Sequence, residues 1–165
     1  MAPPRYSERA LPPYRFVPGR SPHPHRDPGG YARGEPPPEI PDWEVDEWET
    51  LGWWLHAIDL FNHRFWWACH EVLEGMWKAA GRTTPRARFV QGLLQIAAAH
   101  LNHRRGHSDA ARSQAERGLE KMEGAFDRAV VMGIDVGDFA RETRRALSRP
   151  DAPSATIELR LGGDD

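Results

Sequence analysis

His70 and Glu74 stand four residues apart in the run Trp66-Trp67-Ala68-Cys69-His70-Glu71-Val72-Leu73-Glu74-Gly75-Met76-Trp77. On an α-helix that spacing sets the two side chains about 6 Å apart along the axis and about 40° apart around it, so they can touch or share a ligand. Imidazole and carboxylate together suit a divalent ion such as zinc, iron, nickel or manganese, and the carboxylate could instead act as a base toward a bound water. The same residues also make a structural network, with His70 hydrogen-bonded to Glu74 or a glutamine and Lys78 paired with Glu74 one turn on. The residue types alone leave both readings open.

A helical wheel places His70 in a broad apolar face beside Trp66 and Trp77. Glu74 falls at its edge, while Glu71 and Lys78 point to solvent. Glu71 is therefore set aside. A second polar group follows on the next helix, where Gln91, Gln95 and Asn102 share one line and His100, His103 and His107 another. A short connection at 81–84 makes the two helices antiparallel neighbours, and His103 is then the ring expected to approach His70. The expected metal ligands are His70, Glu74 and His103, with Trp66, Trp77 and Gln95 as further pocket residues. His56, His63 and His70 recur every seven residues, but an expected break at Asn62-His63 takes that stripe apart. Cys69 lies about 100° from His70 on the wheel and reads as a small buried hydrophobe, not a nucleophile. The tryptophans read as core more readily than as an aromatic cage.

These side chains need helices to hold them. Twelve of the fifteen prolines fall within residues 1–41, so this segment is expected to be an extended, disordered arm, in which His23 and His25 make a poor ligand frame. From Asp42, as N-cap, apolar positions recur at helical spacing to Asn62. A second helix is expected from about Arg64 to Ala80, stopped by Gly81. Thr84 and Pro85 cap and start a third, which carries an almost wholly apolar middle to Arg105 and ends at Gly106. Ser108-Asp109 opens a fourth, whose stripe reaches Met132-Gly133, and a short fifth runs from Val136 or Asp138 to Leu147. Ile157, Leu159 and Leu161 alternate like a strand that has no evident partner. The expected organisation is an arm at 1–41, a helical domain at 42–147 and a loosely docked tail at 148–165.

A chain of 165 residues with 39% hydrophobic content suffices for one core. The formal charge of −2 supplies no basic field for nucleic acid, and Arg104, Arg105, Arg112 and Arg117 read as solvated helix charges. One cysteine excludes an internal disulfide and suits the reducing cytoplasm. No apolar run reaches the roughly 20 residues of a membrane span, and the proline-rich start carries no apolar leader.

The segment from about Trp48 to Asp135 resembles the bacterial and archaeal family catalogued as domain of unknown function 309. The likeness rests on H-x-x-x-E-x-x-W, here His70, Glu74 and Trp77, preceded by Phe61-Asn62. It extends over Gln91-Gly92-Leu93-Leu94-Gln95 and Ala97-Ala98-Ala99 to His103-Arg104-Arg105-Gly106. His63 stands where the family often has glycine, and His100 takes a slot that is usually apolar. The resemblance implies an all-helical fold and a motif associated with metal binding, and it implies no activity. The reading is thus an all-α bundle of about five helices with a divalent-metal or small-ligand site at His70 and Glu74. The alternative is a non-enzymatic assembly module, a homo-oligomer or a protein-partner surface, in which the motif only fixes helix packing.

Overall fold

Residues 2–162 are described by a computed structural model; residue 1 of the arm and residues 163–165 of the tail lie outside it. Proline keeps residues 2–41 out of regular helix and strand, as their missing donors require. The arm is nevertheless seated on the bundle. The carboxylate of Asp59, itself fully buried, accepts from the Tyr6 and Ser7 amides at 2.7 and 2.9 Å and from Arg5 Nε at 2.9 Å. Phe16 is buried edge-on to Trp67. The expected disordered arm carries no sign of these anchors in its sequence, because nothing local in it signals a buried carboxylate about fifty residues away.

A 3-10 helix at Val45–Thr50 replaces the expected helix start at Asp42. Trp43 is pulled inward, its Nε1 donating to the Met76 carbonyl at 3.0 Å. The bundle proper comprises α1 (Gly52–Asn62), α2 (Trp66–Ala79), α3 (Pro85–Arg104), α4 (Ser108–Ala125) and α5 (Val136–Ala146). The break after Asn62 falls where Arg64 takes a φ of 68°. Thr84 caps α3 by accepting from the Ala87 amide, with Pro85 in the first turn. His107, not Ser108, occupies the cap position of α4, without a side-chain bond.

The apolar α3 is central, burying Phe89, Val90, Leu93, Ile96 and Ala97. It meets α4 backbone to backbone. A methyl group on Gly92 would stand 2.5 Å from the Gly118 carbonyl oxygen, and one on Gly118 would stand 2.6 Å from that of Gly92. The fourth helix stops at Ala125 rather than continuing to Gly133, since Phe126 turns extended and packs on Phe89. Val130–Val131 (β1) and Ile134–Asp135 (β2) then pair antiparallel around Met132 and Gly133, both at positive φ, the geometry of a two-residue hairpin turn. Trp54 Nε1 bonds the Met132 carbonyl at 3.2 Å, and Asp135 caps α5 by accepting from the Asp138 amide.

The tail supplies core residues. Ala155, Ile157 and Leu159 are buried, while Leu161 is exposed. Its strand-like pattern finds partners that are not strands. Asn62 bonds both the amide and the carbonyl of Ile157, at 2.6 and 2.8 Å. The Leu159 amide donates to the Tyr6 hydroxyl, and the Arg160 amide donates to the Gly133 carbonyl. Asp59 and Asn62, one turn apart on α1, thus hold the two ends of the chain. Among the described residues no helix is long and apolar enough to cross a membrane.

Candidate functional site

The four-residue spacing on α2 delivers a ridge of three charged or polar groups. His70 Nδ1 lies 3.8 Å from Glu74 Oε2, and Lys78 Nζ lies 3.1 Å from Glu74 Oε1. The first separation is too long for a direct hydrogen bond. The His70 and Glu74 side chains are 36% and 42% exposed, so a solute can reach both. Burial holds the His70 ring below its ordinary value against the pull of Glu74, leaving a neutral imidazole at neutral pH with a nitrogen lone pair to offer.

On one side of this ridge α3 closes a pocket of about 210 Å³, lined by His70, Glu74, Trp77, Gln91, Leu94 and Gln95. Trp77 and Leu94 give it apolar walls, and the two glutamines give it amide donors and acceptors. The wall is positioned from outside the site. Trp77 Nε1 donates to the Arg82 carbonyl at 3.1 Å, while Lys121 Nζ, from α4, donates to Gln95 Oε1 at 3.0 Å. On the other side the arm closes a second pocket of about 270 Å³, in which Pro37 and Pro38 face Trp67, His70, Glu71, Glu74 and Lys78. The arm comes this close because α2 carries glycine at position 75, where a methyl group would meet the Ile40 side chain at 2.5 Å.

Two of the expected pocket residues, Trp77 and Gln95, therefore do face His70. Trp66 and His103 do not. The Trp66 indole stacks on His100, centroids 5.5 Å apart, so the first turn of α2 faces His100, and His70 one turn later faces Gln95, Leu94 and Gln91. This register carries His103 past the end of the groove, where its Nε2 donates to the Arg149 carbonyl at 3.1 Å. The expected third ligand is thus not brought to His70 and Glu74. Among the described residues no three or more His, Cys, Asp or Glu side chains are grouped to hold a metal ion. His100 is buried, its Nδ1 donating to the Ile96 carbonyl, and its ring is pushed down to about 4 by burial above all.

Glu71, set aside from the sequence, is not a solvent-facing residue. His25 Nε2 lies 2.6 Å from Glu71 Oε2, both side chains under one-fifth exposed. His25 Nδ1 lies 2.7 Å from the Glu35 carbonyl. Acceptors at both ring nitrogens require a doubly protonated imidazolium. Burial alone would lower its pKa, but the hydrogen bond and charge of Glu71, with the carbonyls, raise it overall. The helical wheel gave the right face for Glu71; what the wheel omits is the arm that covers that face. Cys69 is buried, bonds the Ala57 carbonyl, and has its thiol pushed up by burial, which makes it inert.

A mostly helical protein with one small β-hairpin and a groove between two antiparallel helices is the class these observations define. Within it, residues 54–114 match the model of the family described as Domain of unknown function (DUF309), the family the sequence resembles. The match runs from α1 into the first turns of α4 and so includes the whole groove. No curated protein and no solved structure matches the chain.

Proposed function

We propose that the α2–α3 groove is a binding site for a small polar ligand, with His70 and Glu74 as its polar handle. The observation that carries this reading is the half-exposed His70–Glu74 pair on the lip of a pocket walled by Trp77 and Leu94 and furnished with Gln91 and Gln95. A neutral imidazole accepts or donates one hydrogen bond, the carboxylate accepts, and the glutamines do both, while the indole buries the ligand's apolar part. Lys78 balances the Glu74 charge when no ligand is bound. Assembly through an apolar face is supported less well, since among the described residues the exposed large hydrophobic is Leu161.

A second reading is favoured by one distance. Bonds of about 2.1 Å each from an imidazole nitrogen and a carboxylate oxygen can span the 3.8 Å between His70 and Glu74, so one divalent ion fits between them with ligand or water oxygens completing its shell. Zinc and manganese suit that donor set. The cytoplasm, where Cys69 stays reduced, is the compartment this reading assumes.

A thermal-shift screen of small polar fragments tests the primary reading. Stabilising fragments should lose their effect in His70→Ala and in Glu74→Ala, both of which should stay folded because the side chains are half-exposed. Fragments that stabilise both variants as well as the parent protein contradict the assignment. Elemental analysis of protein purified without a histidine tag decides the second reading. Stoichiometric metal that disappears in both variants supports it, and metal-free protein refutes it.

A further inference from the structure

Three arginines meet at a place the groove does not use. Arg15 from the arm, Arg64 from the α1–α2 turn and Arg104 at the end of α3 surround a pocket of about 110 Å³ over Trp66 and Leu101. Several arginines elsewhere on this surface are answered by carboxylates, as Arg144 is by Glu116, Arg145 by Glu142 and Arg160 by Asp135. Among the described residues none of these three has such a partner. Arg15 is held in place by its Nε, which donates to the His63 carbonyl at 2.7 Å, and by the Phe65 ring 4.6 Å beneath its guanidinium. Its terminal nitrogens remain without a partner among the described residues.

Like charges gathered without a counter-charge repel one another. Burial first, then the charges of Arg64 and Arg104, hold the Arg15 guanidinium below its ordinary value. Arg64 also sits at a φ of 68°, a left-handed backbone that a non-glycine residue adopts at a penalty. The indole N–H of Trp66, which lines the pocket, is buried without a partner among the described residues. An oxyanion among the three guanidiniums relieves the repulsion, and Arg is the side chain whose fork of donors matches a phosphoryl group.

We propose that this pocket binds the phosphoryl group of a small phosphorylated ligand, held by Arg15, Arg64 and Arg104. A pocket of about 110 Å³ accommodates one such group. The net charge of −2 supplies no extended basic field, so a single small anion fits better than a polyanion. Because Arg15 belongs to the arm and the other two to the bundle, the bound anion also pins the arm.

Isothermal titration of the full chain with inorganic phosphate and, separately, with glycerol 3-phosphate tests the assignment, using chloride at matched ionic strength as control. Saturable one-to-one binding of either, with each displacing the other, is the expected result, and the tighter of the two distinguishes free phosphate from a phosphate ester. Arg104→Gln and Arg64→Gly should each weaken it about tenfold or more, the loss of one charge-assisted hydrogen-bonding partner. Arg64→Gly relieves the left-handed strain and should keep or raise the melting temperature, so its loss of binding is not a loss of fold. Absence of saturable phosphate binding overturns the proposal, as does binding that both variants leave unchanged. A single-stranded oligonucleotide that binds where neither small phosphate does overturns it in favour of nucleic acid.

Discussion

Asp59 shows how much one side chain organises here. Its buried carboxylate takes three donors from residues 5–7, one of them an arginine. Asp59→Ala strands those donors and should destabilise the protein by about 3 kcal/mol, given about 1.5–3 for a hydrogen bond to a charged group; urea unfolding measures it. At the site, a His70 ring held below 6.5 is the neutral partner, and protonation abolishes its lone pair. Ligand affinity should therefore fall as the pH drops below about 6.5 and into the His70 titration, and titrations between pH 8 and 5 check this. His70, Glu74, Trp77 and Gln95 were legible as one constellation because helical periodicity and antiparallel packing are properties of the sequence pattern. His103 was misplaced because a two-turn shift along α3 changes no periodicity. The stacking of Trp66 on His100 and the bond of His103 to the Arg149 carbonyl reveal it.

Helix ends with their own chemistry could be read directly. Thr84-Pro85 starts α3, and Gly81 and Gly106, at φ of 87° and 86°, close the helices before them. The end of α4 was not legible. Its stripe continues in apolar residues that serve a hairpin, and the Met132-Gly133 turn resembles no strong turn dipeptide. Between α3 and α4 the contact of Gly92 with Gly118 tolerates no methyl group, because the atom opposite is a backbone oxygen in each case. Gly118→Ala should cost about 2–3 kcal/mol by forcing the helices apart, and its melting temperature should fall accordingly, whereas Gly124→Ala, with open space around it, should not destabilise. The arm responds to pH through His25. Its pKa is raised in the folded state, so the latch to Glu71 is at full strength below the unfolded value of 6.5 and is lost as pH rises through the folded value. Tryptic cleavage at Arg20, Arg26 and Arg33, all exposed, should accelerate over that alkaline range. His25→Ala should be cleaved fast at every pH.

Over the whole molecule, two buried histidines set the acid limit. His56 and His100 are both pushed down to about 4, chiefly by burial. Their unfolded rings bind protons from about 6.5 downward while the folded ones refuse them, so stability is lost between pH 6.5 and 4, up to about 3 kcal/mol for each ring. His100→Leu should flatten the acid side of the stability profile measured by urea unfolding. An unchanged profile would show that His100 titrates freely. The mostly helical bundle is legible from periodicity, but the two-stranded hairpin that departs from an all-α fold is not. The wrapping of both chain ends over α1 was not, since Asp59 and Asn62 look like ordinary polar positions until their distant partners are in place.

The proposed ligand site lies in the groove between α2 and α3, at His70 and Glu74. Amide and side-chain chemical-shift mapping of the isotope-labelled chain with the fragments that stabilise it tests this most directly. The expected result is a cluster of shifts at His70, Glu74, Trp77, Gln91, Leu94 and Gln95, which vanishes in His70→Ala. Shifts that collect elsewhere on the surface, or that persist in that variant, contradict it.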